Sequence, residues 1–355
     1  MRNLICFAMA ALLFAAPATG LAGEEGGVAV GKGSLKVGGI LQAGYTYNLE
    51  DAAGVDAFTL NRARFLFWGT IVPDKVKYFV QTEGKGGTGV LDYKAQFFYV
   101  PQTEIAVGRF LPNFTYYMPI STAKLEMINY PLLTQNFAMW RQSGIQTTTK
   151  TEFVDFNVGI FNGADLANNV NDNNDSKDFL VRADFKPPVE NMDLRFGGYA
   201  WIGAAMMPDM IALVPVLHWD ESTLKNNTYG GFAKLDYAVN EDVKIKIRGE
   251  FALHQGEQLQ SLTAPDADQT TDVDSQAFYA HIGIQPNPEW EFLFRYDNYD
   301  QNTDQDNDGY AWMTGGVNYY IDAINAMFYL NYIHKANETN DPDDDVVMAQ
   351  VQVCF

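Results

Sequence analysis

Cysteine is almost absent from this chain: Cys6 and Cys354 are the two present, at opposite ends. Cys6 falls in a leader-like start, so Cys354 is left alone and no internal disulfide framework can form. No Cys-x-x-Cys-His occurs, so the chain attaches no c-type haem of its own. Histidine is scarce too, and His218, His254, His281 and His334 show neither metal-ligand spacing nor a companion catalytic set. An enzyme is therefore not expected. Positive charge is in short supply. Against 44 Asp and Glu stand 24 Lys and Arg, a formal charge of −20, which argues against nucleic acid as a partner. Beyond the leader no apolar run reaches about 18 residues, so the rest of the chain is either soluble or crosses a membrane with strands.

The start has its own character. Arg2 precedes an apolar stretch from Leu4 to Ala18, followed by the small residues of Ala18-Thr19-Gly20-Leu21-Ala22-Gly23. This is the pattern of a secretory signal peptide, expected over residues 1–23. The roughly 332 residues that follow, 24–355, are enough for two ordinary soluble domains or one large barrel.

What is abundant is alternation with a period of two. In Val243 to His254, Lys244, Lys246, Arg248 and Glu250 share one face, and Ile245, Ile247, Gly249 and Phe251 share the other. Sixteen such runs are read at 35–47, 58–70, 75–83, 90–100, 103–110, 141–150, 153–162, 177–186, 192–204, 227–238, 242–255, 274–286, 289–299, 309–320, 324–335 and 345–355. Short turns such as Val72-Pro73-Asp74 and Asn287-Pro288 alternate with long connections such as 111–140, 163–176 and 205–226. A sandwich would explain the alternation but not this long-short rhythm, and a β-helix would show a fixed repeat. The expected fold is all-β: a transmembrane antiparallel up-and-down β-barrel of about sixteen strands, in the outer membrane of a Gram-negative bacterium.

The final run supports this. Val347, Ala349, Val351, Val353 and Phe355 form one apolar face that ends on an aromatic. The pattern resembles the assembly signal of outer-membrane barrels, with Phe355 as an aromatic placed at a membrane interface. Outer-membrane lipid and lipopolysaccharide, together with the barrel assembly machinery, are the expected partners.

The acidity lies in the long connections. Segments 48–57, 163–176, 256–274, 300–309 and 336–345 hold 20 acids and no Lys or Arg. Basic residues sit on the polar strand faces instead. Arg62, Arg64, Lys77, Lys94, Arg182, Arg195, Lys246 and Arg248 are the candidates for pore-lining or solute contact, and charged rings are how pores select ions. Arg182 with Asp184, Asp193 with Arg195, and Arg248 with Glu250 are also same-face neighbours that could pair within the wall. Arg62, Arg64 and Lys94 are the stronger solute candidates, because few carboxylates share their wall. Segment 111–140 is aromatic, with Phe114, Tyr116, Tyr117, Tyr130, Phe137 and Trp140, and its one acid is Glu126. Such a loop is costly to leave in water, so it is expected either inside the barrel, narrowing it, or against a neighbouring subunit. Asp304-Gln305-Asp306-Asn307-Asp308-Gly309 matches the start of a calcium loop, but the twelfth position is Gly315, which excludes an EF-hand. Asp304, Asp306 and Asp308 are retained as candidate ligands for weakly bound Ca2+.

These features together resemble the phosphate-selective porin O and P family of sixteen-stranded outer-membrane porins. The likeness is carried by Asn61-Arg62-Ala63-Arg64-Phe65-Leu66-Phe67-Trp68-Gly69-Thr70 followed by Val72-Pro73-Asp74. Ile105-Ala106-Val107-Gly108-Arg109-Phe110-Leu111-Pro112-Asn113-Phe114 and Phe156-Asn157-Val158-Gly159-Ile160-Phe161-Asn162-Gly163 extend it. The resemblance implies a homotrimer, a constricting third loop and passive diffusion of small hydrophilic solutes, with anions such as phosphate preferred. That family lines its constriction densely with Arg and Lys, whereas here the third loop offers Lys124 alone before Arg141, and the entrance loops are acidic. A second expectation is a barrel that sheaths the cytochrome of a porin–cytochrome electron conduit.

Overall fold

The structure, a computed structural model, describes residues 28–30, 33–49, 56–87, 89–163, 176–205, 224–259, 270–337 and 344–355. The expected signal peptide at 1–23 and much of the acidic connections lie outside the described residues.

Seventeen strands follow in order among the described residues. The first nine are β1 (Val28–Val30), β2 (Gly33–Asn48), β3 (Ala57–Val72), β4 (Val76–Glu83), β5 (Gly89–Val100), β6 (Thr103–Phe110), β7 (Gln142–Lys150), β8 (Val154–Phe161) and β9 (Asp178–Phe185). The rest are β10 (Met192–Ala205), β11 (Leu224–Ala238), β12 (Lys244–Leu259), β13 (Thr270–Gln285), β14 (Trp290–Asp300), β15 (Tyr310–Asp322), β16 (Ala326–Asn337) and β17 (Val346–Cys354). From β2 to β17 each strand pairs antiparallel with the next, and β17 pairs with β2, so sixteen strands close into a barrel. The three-residue β1 folds back on the start of β2. Closure removes every free sheet edge, which is the condition for a sheet to cross a bilayer.

The sixteen barrel strands coincide with the sixteen alternating runs to within a few residues. The largest departure is the β12–β13 hairpin, which continues into what reads as a loop from 256. Glu257 pairs in register with Asp272 there, and Lys225 bridges to Asp272 at 3.1 Å. Thr270, Thr271 and Val273 favour the extended chain, and the lysine offsets two carboxylates brought side by side.

Alternation sorts the side chains into two environments. In β14, Trp290, Phe292 and Phe294 face outward while Glu291, Leu293 and Arg295 are buried inside. The same division puts Phe65, Phe179, Ile202 and Val351 on the outer surface. In water each such exposure would forgo about 1.5–3 kcal/mol of burial; in lipid it is the favourable arrangement. Aromatics gather at the short-turn rim, where Tyr99, Phe153, Trp290 and Phe355 are exposed. The short turns there use left-handed backbone at Asp74 (φ 57°) and Asn191 (φ 60°), residue types that tolerate it.

Besides register shifts next to the short turns, two bulges break the alternation within strands. Gln42 pairs with Arg62 but Ala43 pairs with Leu60, leaving Asn61 as an extra residue. Gln81 pairs with Asp92 but Thr82 pairs with Val90, leaving Leu91 extra. A bulge reverses which face the following residues occupy. Phe58 and Leu60 face out, and the bulge turns Arg62 and Arg64, of the same parity, inward. Beyond Leu91, Asp92 and Lys94 turn inward in the same way.

Residues 111–141 run into the lumen rather than over its rim. They hold a single 3-10 turn at Thr122–Lys124 and one short helix, α1 (Leu132–Phe137), packed against β12, β13 and β14. Gly108 starts the bend with φ 135°, and a Cβ there would overlap the Tyr93 carbonyl on β5. Phe114, Tyr117, Leu133 and Phe137 are buried against Tyr199, Trp201 and Tyr279 of the inner wall.

Candidate functional site

The lumen segment is irregular backbone in a barrel, so its N–H and C=O groups must find partners on the wall. The inner faces supply them. Glu250 accepts from the Tyr116 N–H at 2.8 Å, Asp297 from Leu132 at 3.1 Å, and Asn331 from Ile128 at 2.9 Å. Arg295 donates to the carbonyls of Asn129 and Tyr130, Asn318 to Glu126, Gln352 to Ala123 and Gln42 to Thr122. The segment is thereby tied to strands from β12 round through β17 to β2. A cytochrome threading the barrel would have to displace all of these bonds.

The basic candidates fall into two groups. Arg182 is buried, pairs with Asp184 at 2.7 Å and donates to the Thr115 carbonyl. Arg248 binds Glu126 at 2.9 Å and Asp236 at 2.5 Å. Lys246 binds Glu291 at 2.5 Å and lies 3.8 Å from Glu126. Arg195 lies 3.5 Å from Asp184 and 3.7 Å from Asp155. All four are engaged by carboxylates. Glu126, with His281 3.5 Å away and the Tyr117 hydroxyl at 3.3 Å, is the point where the segment is pinned to this cationic wall. It holds two bases that sequence alone offers to solute.

Arg62, Arg64, Lys77 and Lys94 sit on the other wall, β3 to β5, where the segment leaves space. Two cavities remain there. The upper, of about 320 Å³, is lined by Arg62, Arg64 and Arg141 with Tyr130 and Trp140. The lower, of about 540 Å³, is lined by Lys36, Lys77 and Lys94 with Trp68 and Phe79. Arg64 pairs with Glu83 at 2.9 Å and Arg141 with Asp92 at 3.0 Å. Arg62 donates to the neutral Gln42 side chain at 2.5 Å and lies 5.9 Å from the Tyr130 ring centre. Lys94 lies over Phe79 and Phe110, and Lys77 over Phe98. Among the described residues, Arg62, Lys36, Lys77 and Lys94 form no ion pair. Six cations thus face these cavities against the paired Glu83 and Asp92 and, toward the periplasmic end, Glu104, which accepts from Gln96.

Lys36 and Arg141 are the two members outside the sequence-derived candidates; Lys36 lies on the polar face of β2, and Arg141 had a signal of its own. It follows the aromatic lumen segment immediately, and its signal was that position: the last residue before the chain rejoins the wall.

Asp304 and Asp306 are exposed on a turn closed by Asn302, whose side chain accepts from the Asp304 N–H at 3.1 Å. No cluster of three metal-ligating residues occurs among the described residues.

Comparison with known proteins agrees with this geometry. OmpT of Vibrio cholerae, in its trimer form, superposes with a TM-score of 0.63 at 10% identity, over 91% of this chain and 99% of that one. An anion-selective porin from Comamonas acidovorans gives 0.62 at 13%, over 91% and 100%. The outer membrane channel DcaP of Acinetobacter baumannii gives 0.60 at 10%, over 91% and 97%. At these identities the likeness speaks for the fold. No curated protein matches the chain by sequence. Residues 36–355 match the family described as phosphate-selective porin O and P. The chain belongs to the phosphate-selective porin O and P family and is an outer-membrane channel for small solutes, not an enzyme.

Proposed function

We propose that the channel passes small hydrophilic solutes by diffusion and prefers anions, with the path running along the β3–β5 wall. Arg62, Arg64, Lys94 and Lys77 are the side chains a permeating anion meets. The observation that carries this is the division of the lumen's cations: on one wall all four candidates are engaged by carboxylates, and on the other Arg62, Lys77 and Lys94 form no ion pair among the described residues and border open cavities. The family description and the anion-selective relative support the same sign of charge. Arg182, Arg195, Lys246 and Arg248 act as wall and segment anchors in this reading. The 111–141 segment acts as the constriction.

The chain assembles as a homotrimer, as the OmpT structure does in its trimer form, and the assembly machinery reads the β17 pattern ending at Phe355. The deciding experiment for selectivity is the reversal potential of the purified protein in a planar bilayer under a salt gradient. Anion selectivity that weakens as salt rises is expected, because the screening length at 0.15 M is roughly 8 Å. Clear cation selectivity would show that the acidic connections control permeation, and would remove the reading.

A further inference from the structure

We propose that the upper cavity is a binding subsite for a singly charged organic anion with a flat apolar body, of the aromatic monocarboxylate class. The inference rests on the reading above, in which Arg62 and Arg64 meet the solute.

The charge of the subsite sets the number of negative charges it accepts. Arg64 and Arg141 each turn Nε to a carboxylate of the wall, Glu83 and Asp92. Arg62 has an amide as its partner in Gln42. Three guanidiniums and two carboxylates leave one positive charge. The phenol of Tyr130 adds no anion, since a phenol ionises only at about pH 10. One carboxylate neutralises such a site; a dianion overfills it.

The rest of the lining sets the body. Tyr130 and Trp140 meet edge to face, 5.4 Å between ring centres at 78°, and Leu111 and Ile128 complete the apolar side. Water or a bare inorganic anion satisfies none of this surface, whereas a ring fills it. Guanidinium groups are also planar donors that match a carboxylate in two parallel bonds. The lower cavity offers ammonium groups, compact charges suited to small hydrated ions. The volume, about 320 Å³, is at the small end for ligand sites. Trp140 adopts φ 40°, a left-handed conformation rare for a bulky residue, between its contact with Tyr130 and the Arg141–Asp92 pair. Strain of this kind collects where a side chain must be aimed.

The test is titration calorimetry of the detergent-solubilised full-length protein with sodium benzoate, sodium acetate and inorganic phosphate at matched ionic strength. Heats of titration into detergent alone are subtracted. Benzoate should bind at least about tenfold more tightly than acetate or phosphate, about 1.4 kcal/mol. Trp140→Ala should bring benzoate to the acetate value, and Arg62→Gln should weaken both carboxylates together, each in protein that keeps heat-modifiable migration. The wild-type comparison decides even if a variant misfolds. Equal binding of benzoate and acetate, or a benzoate advantage that survives Trp140→Ala, overturns the subsite. The reversal potential separates the two failures. Anion selectivity with no benzoate preference sinks this inference alone, and cation selectivity sinks the reading beneath it.

Discussion

The backbones of Gly39 and Phe355 exchange two hydrogen bonds, 2.8 Å from the glycine N–H and 3.2 Å from the phenylalanine N–H. They fasten β2 to the chain end where the barrel closes. The Phe355 ring lies over Gly39 so closely that any Cβ there would overlap it, while the residue as a whole stays 73% exposed. Gly39→Val should therefore lower the yield of folded barrel, and deletion of Phe355 should lower it further with export unchanged. Heat-modifiable migration of outer-membrane fractions measures both. Wild-type levels of folded protein in each variant would show that this seam needs neither residue.

Arg62→Gln and Lys94→Gln should reduce the anion-to-cation permeability ratio several-fold while leaving the unfolding temperature near wild type. Arg182→Gln should do the reverse. It leaves Asp184 and the Thr115 carbonyl without their donor in a buried setting, a loss of about 3–5 kcal/mol for one partner of a buried pair. Reversal potentials and thermal unfolding of the same preparations separate the two effects. A selectivity change in Arg182→Gln equal to that in Arg62→Gln would count against the division of the two walls.

Glu126→Gln removes the carboxylate that Arg248, Lys246 and the Tyr117 hydroxyl share. The pore should then show larger open-channel current fluctuations and a lower unfolding temperature, because the lumen segment loses its pin. Single-channel recording reads the first and heat-modifiable migration the second. A quiet trace with wild-type stability would mean the backbone bonds hold the segment without it.

Phe65→Arg and Trp68→Arg differ by three positions and by side of the wall. Phe65 faces lipid and Trp68 the lower cavity. An arginine on the lipid face near mid-depth costs roughly 2–4 kcal/mol, while a lumen change tunes selectivity instead. Urea unfolding from lipid vesicles should show the loss for Phe65→Arg and a much smaller one for Trp68→Arg. Equal losses would place both positions in the same environment.

The strands were legible in the sequence because each alternates at a period that only an extended, two-sided wall requires. The last strand was legible for the same reason: Val351, Val353 and Phe355 face out, and Gln350 and Gln352 are buried. What the sequence withheld was the fate of each cation. Arg248 meets Glu126, 122 positions away in the chain, and Arg182 serves the carbonyl of Thr115, 67 positions away. Local pairing with Asp184 was readable for Arg182; capture by the lumen segment was not, because it depends on where that segment crosses. The Asn61 bulge did leave a trace. Phe58 and Leu60 share parity with Arg62 and Arg64, so a single apolar face turns basic midway along one strand.

That trace has a consequence for how such a pore can be altered. Its selectivity along β3 depends on counting as well as on chemistry. Deleting Asn61 itself would change little, because Leu60 and Arg62 would then alternate directly and keep their faces. Deleting Ala63 with the bulge kept would remove no charge and no ring, yet it would shift the phase of one arm of the strand against the other: either Arg64 would turn toward the hydrocarbon, or Phe58 and Leu60 would turn toward water. A lineage of these channels could therefore reorient a charged lining by one indel, without a single substitution among the residues that ions touch.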